Sequence, residues 1–183
     1  MEKDKTKFER YARTLIDFIL DGEGNELVFN ELASREASLK EKGRVNFLGE
    51  YIPAKLALAC GFWDQCCEVH GIRDKGIRKI YFLEVMKRFE TPDSLPVATR
   101  FSENLYAVNS NPEDAPLISV MTRFFETMGL KRFSGESAQG SISDSFVFMM
   151  EVGDALKNAF ENEFEDLVCA DEMIPGEDGE RRE

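Results

Sequence analysis

Apolar residues recur every three or four positions along most of this chain, and that period, rather than strict alternation, sets the expected secondary structure. Phe8, Tyr11, Ala12, Leu15, Phe18 and Ile19 trace one face of a first helix that Gly22 should end, leaving residues 21–25 as a loop. A second helix is expected from near Asn30, through Leu32, Ala33, Glu36 and Leu39, to a stop at Gly43. A third runs from near Asn46 towards Gly71 and carries Phe47, Tyr51, Leu56, Ala59, Trp63 and Cys67, with a kink or restart at Pro53.

Asp74 can cap a fourth helix. Its Ile77, Ile80, Tyr81, Leu83, Val85, Met86 and Phe89 spread around most of the circumference, the pattern of a central core helix. The next is expected from Ser94 or Leu95, with Pro96 tolerated in the first turn and Val97, Phe101, Leu105 and Val108 facing inward. Asn111-Pro112-Glu113-Asp114 then signals a helix start before Leu117, Met121, Phe124 and Met128, which Gly129 should stop. Residues 130–141 have the composition of a mobile surface loop. Ser143 can cap a long last helix through Phe146, Met149, Met150, Leu156, Phe160, Phe164 and Leu167. Beyond Cys169 the periodicity stops, and residues 170–183 read as a disordered acidic tail. The expected fold is therefore all-α, a single helical bundle of six or seven helices over residues 1–169.

Length and a 43% apolar content suit one domain with a core of its own. Charge changes the picture more. Lys and Arg total 23 against 35 Asp and Glu, a net charge of −12, which argues against a protein that grips nucleic-acid phosphates and favours a basic partner. Residues 161–183 alone hold ten acids against Arg181 and Arg182. The four cysteines, Cys60, Cys66, Cys67 and Cys169, lack the spacing of a disulfide framework, and no apolar run is long enough to cross a bilayer. A reducing, cytoplasmic setting is the expectation.

Candidate chemistry is sparse. The 135–141 segment has two glycines at phosphate-loop spacing, but Ser141 stands where the lysine is required. Asp21-Gly-Glu-Gly-Asn begins like a calcium loop, yet Glu26 and Leu32 replace the turn glycine and the bidentate glutamate. Cys66, Cys67 and His70 share a helix face and offer soft ligands, with no third or fourth partner at a recognisable spacing. His70 is the sole histidine and no nucleophile elbow accompanies it, so an enzyme is not expected, nor a cofactor or a metal. Fifteen phenylalanines and seven methionines, including adjacent Met149 and Met150, supply either an ordinary core or an adaptable groove for an apolar peptide.

Between Tyr51 and Val120 the chain resembles the cytoplasmic assembly chaperones of molybdenum enzymes, the nitrate reductase delta-subunit family related to trimethylamine oxide reductase chaperones. Glu68-Val-His-Gly-Ile-Arg-Asp-Lys-Gly76 is similar to the family's His-Gly and Arg-Asp-Arg-Gly at the head of a helix, with Tyr51 upstream. Glu90-Thr-Pro-Asp-Ser-Leu-Pro-Val97, leading to Phe101, is similar to its Glu-Leu-Pro-Asp-His-Leu-Pro signature, with Ser94 in place of the histidine. Ala115-Pro-Leu-Ile in the following helix is a third, fainter piece.

The resemblance implies an all-helical chaperone that binds an apolar or basic segment of an immature oxidoreductase catalytic subunit, such as its N-terminal peptide, before cofactor insertion or export. The residues it points to are Tyr51, His70, Arg73, Asp74, Glu90, Pro92, Asp93, Leu95 and Phe101. On the residues alone, Pro92 makes a fixed corner, Asp93 or Ser94 can accept backbone hydrogen bonds at the next helix start, and Asp74 can be a cap beside a solvated Arg73. In the client-binding reading, Asp74, Glu90 and Asp93 complement positive charge beside apolar groove residues. An acidic regulatory adaptor or decoy for a basic protein is the alternative, and its affinity would fall steeply with salt.

Overall fold

The computed structural model describes residues 2–110, 116–134 and 141–169, and there the apolar stripes form eight helices. These are α1 (Glu2–Leu20), α2 (Gly22–Arg35), α3 (Ala37–Val69), α4 (Lys75–Arg78), α5 (Ile80–Arg88), α6 (Leu95–Ser110), α7 (Pro116–Met128) and α8 (Asp144–Cys169). Between α7 and α8, β1 (Phe133–Ser134) pairs antiparallel with β2 (Ser141–Ile142), Phe133 opposite Ile142. The all-helical class is as expected. The proposed cap at 111–114, the tail at 170–183 and most of the phosphate-loop-like segment lie outside the described residues.

The centre of the bundle is α3, not the 74–89 helix. Ala54, Leu56, Ala57, Leu58 and Ala59 have no exposed surface at all, and Tyr51, Phe62, Trp63 and Cys67 continue the burial along the helix. α6, α7, α2, α8 and α1 all pack on it. Its alanines let neighbouring backbones approach closely, while its large rings fill the spaces between them. On one side Trp63 meets Phe8, Tyr11, Tyr81, Phe160 and Phe164 at centroid separations of 5.3–6.3 Å. On the other, Phe47 meets Phe29, Tyr51 and Phe124 at 4.9–5.7 Å.

The expected core helix at 74–89 instead breaks at Lys79 into α4 and α5, which raises the helix number from the expected six or seven to eight. Ile80, Tyr81 and Val85 are buried, but Leu83 is 47% exposed, so α5 is an edge helix with one inward face, laid on α1 and α3. Its buried acid is satisfied across that edge: Glu84 accepts from Arg13 Nε at 2.9 Å and from Lys87 Nζ at 2.6 Å. These cations hold the Glu84 carboxyl below the usual range, outweighing its desolvation.

Three boundaries differ from expectation for identifiable reasons. The anticipated loop at 21–25 is the first turn of α2, because Asp21 caps it by accepting from Gly24 N at 3.0 Å. The helix expected from Asn30 to Gly43 breaks at Glu36, whose carboxylate accepts from Ser145 Oγ of α8 at 2.6 Å; a tertiary contact overrides the local pattern. The chain does leave helical geometry at Gly43 (φ 81°), where a stop was expected, but α3 continues across that kink, and the expected kink at Pro53 is absent. Pro53 is accommodated within helical backbone, and the residue four back, whose carbonyl loses its donor, is the exposed, side-chain-free Gly49.

The ends of α7 and α8 follow the sequence closely. Gly129 adopts φ 59° and closes α7 with Leu130 N donating to Phe125 O at 2.8 Å. Phe146 N donates to Ser143 Oγ at 3.2 Å, the expected cap of α8. The two helices run antiparallel: Phe125 packs on Phe146 at 5.0 Å, and Leu117 lies against Gly153. A Cβ at Gly153 would overlap Leu117 Cδ1. Gly153→Ala should therefore destabilise the fold by about 1–2 kcal/mol in urea denaturation despite alanine's better helix propensity. With Leu117→Ala already present the loss should largely vanish, a non-additivity that a double-mutant cycle measures.

Candidate functional site

Helix α7 turns Leu117, Val120, Met121, Phe124 and Phe125 into the core, and α8 does the same with Met149, Gly153 and Phe160. The next rows of apolar side chains, Ile118 on α7 and Val147 on α8, are left at the surface, each 42% exposed. The β-hairpin adds Phe133 and Ile142, 43% and 54% exposed, so four exposed apolar residues share one groove. It has a volume of about 530 Å³, with Phe146 and Met150 also lining it. That is the size range of sites that take several apolar side chains.

The hairpin is fixed to the start of α8 by a small set of hydrogen bonds. Ser143 N donates to Arg132 O at 2.8 Å, and Ser143 Oγ donates to Lys131 O at 2.8 Å while capping the helix. Arg132 Nη1 donates to Thr122 Oγ1 at 3.0 Å, and its guanidinium lies over the Phe133 ring at 5.6 Å. The cation therefore stands at the hairpin end. Glu151 and Asp154 line the groove further along α8. Beyond them a smaller hollow of about 150 Å³ shares Ile118, Met150 and Asp154 and adds Phe62, Gln65 and Lys157. A third, more polar hollow of about 790 Å³ between α3, α5 and α6 shares Gln65 and Pro116 with it.

The nine residues that the family resemblance points to do not converge. Tyr51 and Phe101 are core side chains, 1% and 0% exposed: Tyr51 packs between Phe47 and Phe124, and Phe101 lies on Phe82 at 6.0 Å, so neither presents a surface in this structure. His70 ends α3, its ring on Phe164 at 5.8 Å. Asp74 caps α4, accepting from Gly76 N at 2.7 Å and Ile77 N at 3.0 Å, beside an exposed Arg73. Glu90, Pro92, Asp93 and Leu95 are exposed at the α5–α6 corner, where Pro92–Ser94 form a single 3-10 turn. Ser94 Oγ there donates to Thr91 O at 2.8 Å instead of accepting a backbone hydrogen bond. The two matching pieces thus sit at opposite ends of α5, and none of the nine residues lines the three hollows above.

Cys66 and Cys67 are buried in the α3 core, and burial pushes their thiols up to about 11 and about 12, away from the thiolate that a metal ligand or nucleophile requires. Among the described residues no group of three His, Cys, Asp or Glu side chains is placed to hold a metal ion. The groove itself carries one hydroxyl, one guanidinium and two carboxylates around an apolar floor. Of its lining, Met150 is a groove candidate in the sequence, whereas Ile118 and Val147 fall beside, not on, the buried stripes, and Phe133 and Ile142 fall in a stretch that read as loop. Comparison with known protein families, with curated proteins and with solved structures gives no match for this chain.

One further polar network lies apart from the groove. Lys55 Nζ donates to Asn25 Oδ1 at 2.9 Å between the rings of Tyr51 and Phe18, and the buried Asn25 donates in turn to Ile19 O at 2.9 Å. Desolvation lowers the Lys55 ammonium to about 8, with nearby Asp21 acting in the opposite direction. In the unfolded chain this group binds its proton up to about 10.5, so between pH 8 and 10.5 the unfolded state holds more protons and Lys55 makes stability rise with pH. The raised thiols act oppositely above about pH 9. Urea denaturation across that range should show the difference in stability between the wild type and Lys55→Met growing by about 1–2 kcal/mol in favour of the wild type. A difference independent of pH would place the ammonium in water.

Proposed function

We propose that this protein is a non-enzymatic, chaperone-like domain that holds an apolar, basic segment of a partner protein in the groove between α7, α8 and the β-hairpin. One observation carries the reading: four exposed apolar residues gather at a single groove lined also by Glu151 and Asp154. Apolar patches of this kind, set beside polar groups, mark interaction sites. Among the described residues no helix is long and apolar enough to cross a membrane, which suits a partner met in the aqueous phase. The resemblance at residues 68–76 and 90–97 supplies the class of client: an immature molybdenum oxidoreductase catalytic subunit, engaged in the cytoplasm before cofactor insertion or export. The groove replaces the α5–α6 corner as the place of engagement.

Fluorescence anisotropy with synthetic N-terminal segments of molybdenum oxidoreductase catalytic subunits from the source genome tests this. Saturable binding is expected, weakened about tenfold or more by Ile118→Asp or Val147→Asp while helical content is unchanged. Raising the salt should weaken it only modestly, since the contact is largely apolar. Segments that fail to bind, or that bind both variants as well as the wild type, overturn the proposal. A steep salt dependence combined with indifference to the two substitutions would assign the acidic surface, and the adaptor reading, instead.

A further inference from the structure

The groove is electrically polar along its length, and this fixes more than the chemistry of its occupant. We infer that the occupant is an amphipathic helix lying parallel to α7, its N-terminus at Glu151 and Asp154 and its C-terminus at Arg132; this rests on the groove reading above.

The floor argues for a helix. Phe146, Met150, Ile118 and Val147 offer no hydrogen-bonding side chain to a bound backbone, and the polar groups Thr122, Arg132, Glu151 and Asp154 stand towards the ends. An extended segment there would find backbone partners only along the two-residue edges of the hairpin, whereas a helix satisfies all its peptide groups but those of its first and last turns. The polar side chains meet those two turns. The first four N–H groups of a helix carry partial positive charge and suit carboxylates; the last carbonyls carry partial negative charge and suit a guanidinium. α7 and α8 are antiparallel, with Thr122 and Phe146 towards the hairpin and Ile118 and Asp154 at the other end. Arg132 therefore faces the C-terminal end of α7 and the N-terminal end of α8. The matching helix runs with α7 and against α8.

Other occupants fit less well. A fatty acid or another simple anion would gain from Arg132 but meet two carboxylates along the remaining wall, while Lys157 one turn beyond Asp154 is paired with Glu161 at 3.7 Å.

The test uses the full chain and an acetylated, amidated helix of about 18 residues, with leucines at i, i+3, i+4 and i+7 and only alanine and glutamine elsewhere, so that orientation depends on the backbone. A photoreactive benzoylphenylalanine is placed at either end, and cross-linked peptides are mapped by mass spectrometry. The N-terminal probe should mark residues 151–154 or Ile118, and the C-terminal probe residues 132–133 or Ile142. Arg132→Gln, and separately Glu151→Gln with Asp154→Asn, should each weaken binding about two- to fivefold. The reversed cross-linking pattern, or equal marking of both ends by both probes, overturns the orientation and leaves the groove standing. No saturable binding, or binding indifferent to Val147→Asp, removes the groove as well. A dimer in sedimentation that dissociates in Val147→Asp and is not displaced by the probe would assign the groove to a second copy of the chain and overturn the inference.

Discussion

Everything in this fold is arranged around the middle of α3, a stretch that water scarcely touches. From Ala54 to Ala59 only Lys55 retains exposure, and the remaining side chains are fully enclosed. A helix buried all round must be surrounded by others, and its large rings decide where they go. Trp63 gathers α1, α5 and α8 on one side, with its Nε1 donating to Ile77 O at 3.1 Å to fix α4 as well. Phe47 and Tyr51 gather α2 and α7 on the other. Burying side chains of this size is worth roughly 1.5–3 kcal/mol each, far more than any surface ion pair here supplies.

The groove is a consequence of that arrangement rather than an addition to it. α7 and α8 both commit their most apolar rows to α3, and Gly153 lets Leu117 close the gap between them. What remains outward on each helix is a second, incomplete apolar row. With no further helix of this chain laid over those rows among the described residues, the β-hairpin forms one wall and the rest stays open. Ser143 couples the two features, since the same hydroxyl caps α8 and anchors the backbone before the hairpin.

Helix type and the inward faces were legible in the sequence because the three-to-four period is a direct record of burial on one side. The stop at Gly129 and the cap at Ser143 were legible because each depends on one residue's conformation or hydroxyl. What was not legible depends on partners distant in the chain. Glu36 ends a helix because Ser145 reaches its carboxylate, 109 positions away. The apparent all-round apolarity of 74–89 conceals that Glu84 needs Arg13, 71 positions earlier. Charge-bearing residues near helix junctions, Asp74 above all, read equally as caps or as binding groups, and hydrogen-bond geometry shows the cap. Most of the groove's lining, Met150 apart, escaped notice for a related reason: a side chain just off the buried stripe looks the same in sequence whether it faces open water or a shared hollow.

The magnitudes also constrain how such a groove can be used. Ile118, Phe133, Ile142 and Val147 are each about half exposed, so covering them completely gains on the order of 1 kcal/mol apiece, with a similar gain from the occupant's own apolar face. The sum, about 8 kcal/mol, is comparable to the cost of immobilising a partner and ordering it as a helix. Tight, permanent association is therefore not available from the apolar floor alone, and the charges at its two ends set the occupant's direction more than its affinity. An interaction of that strength is reversible, and it selects occupants by pattern rather than by exact sequence. Those are the properties that holding a segment temporarily requires, and they are what a permanent subunit interface, with several times this apolar area, would lack.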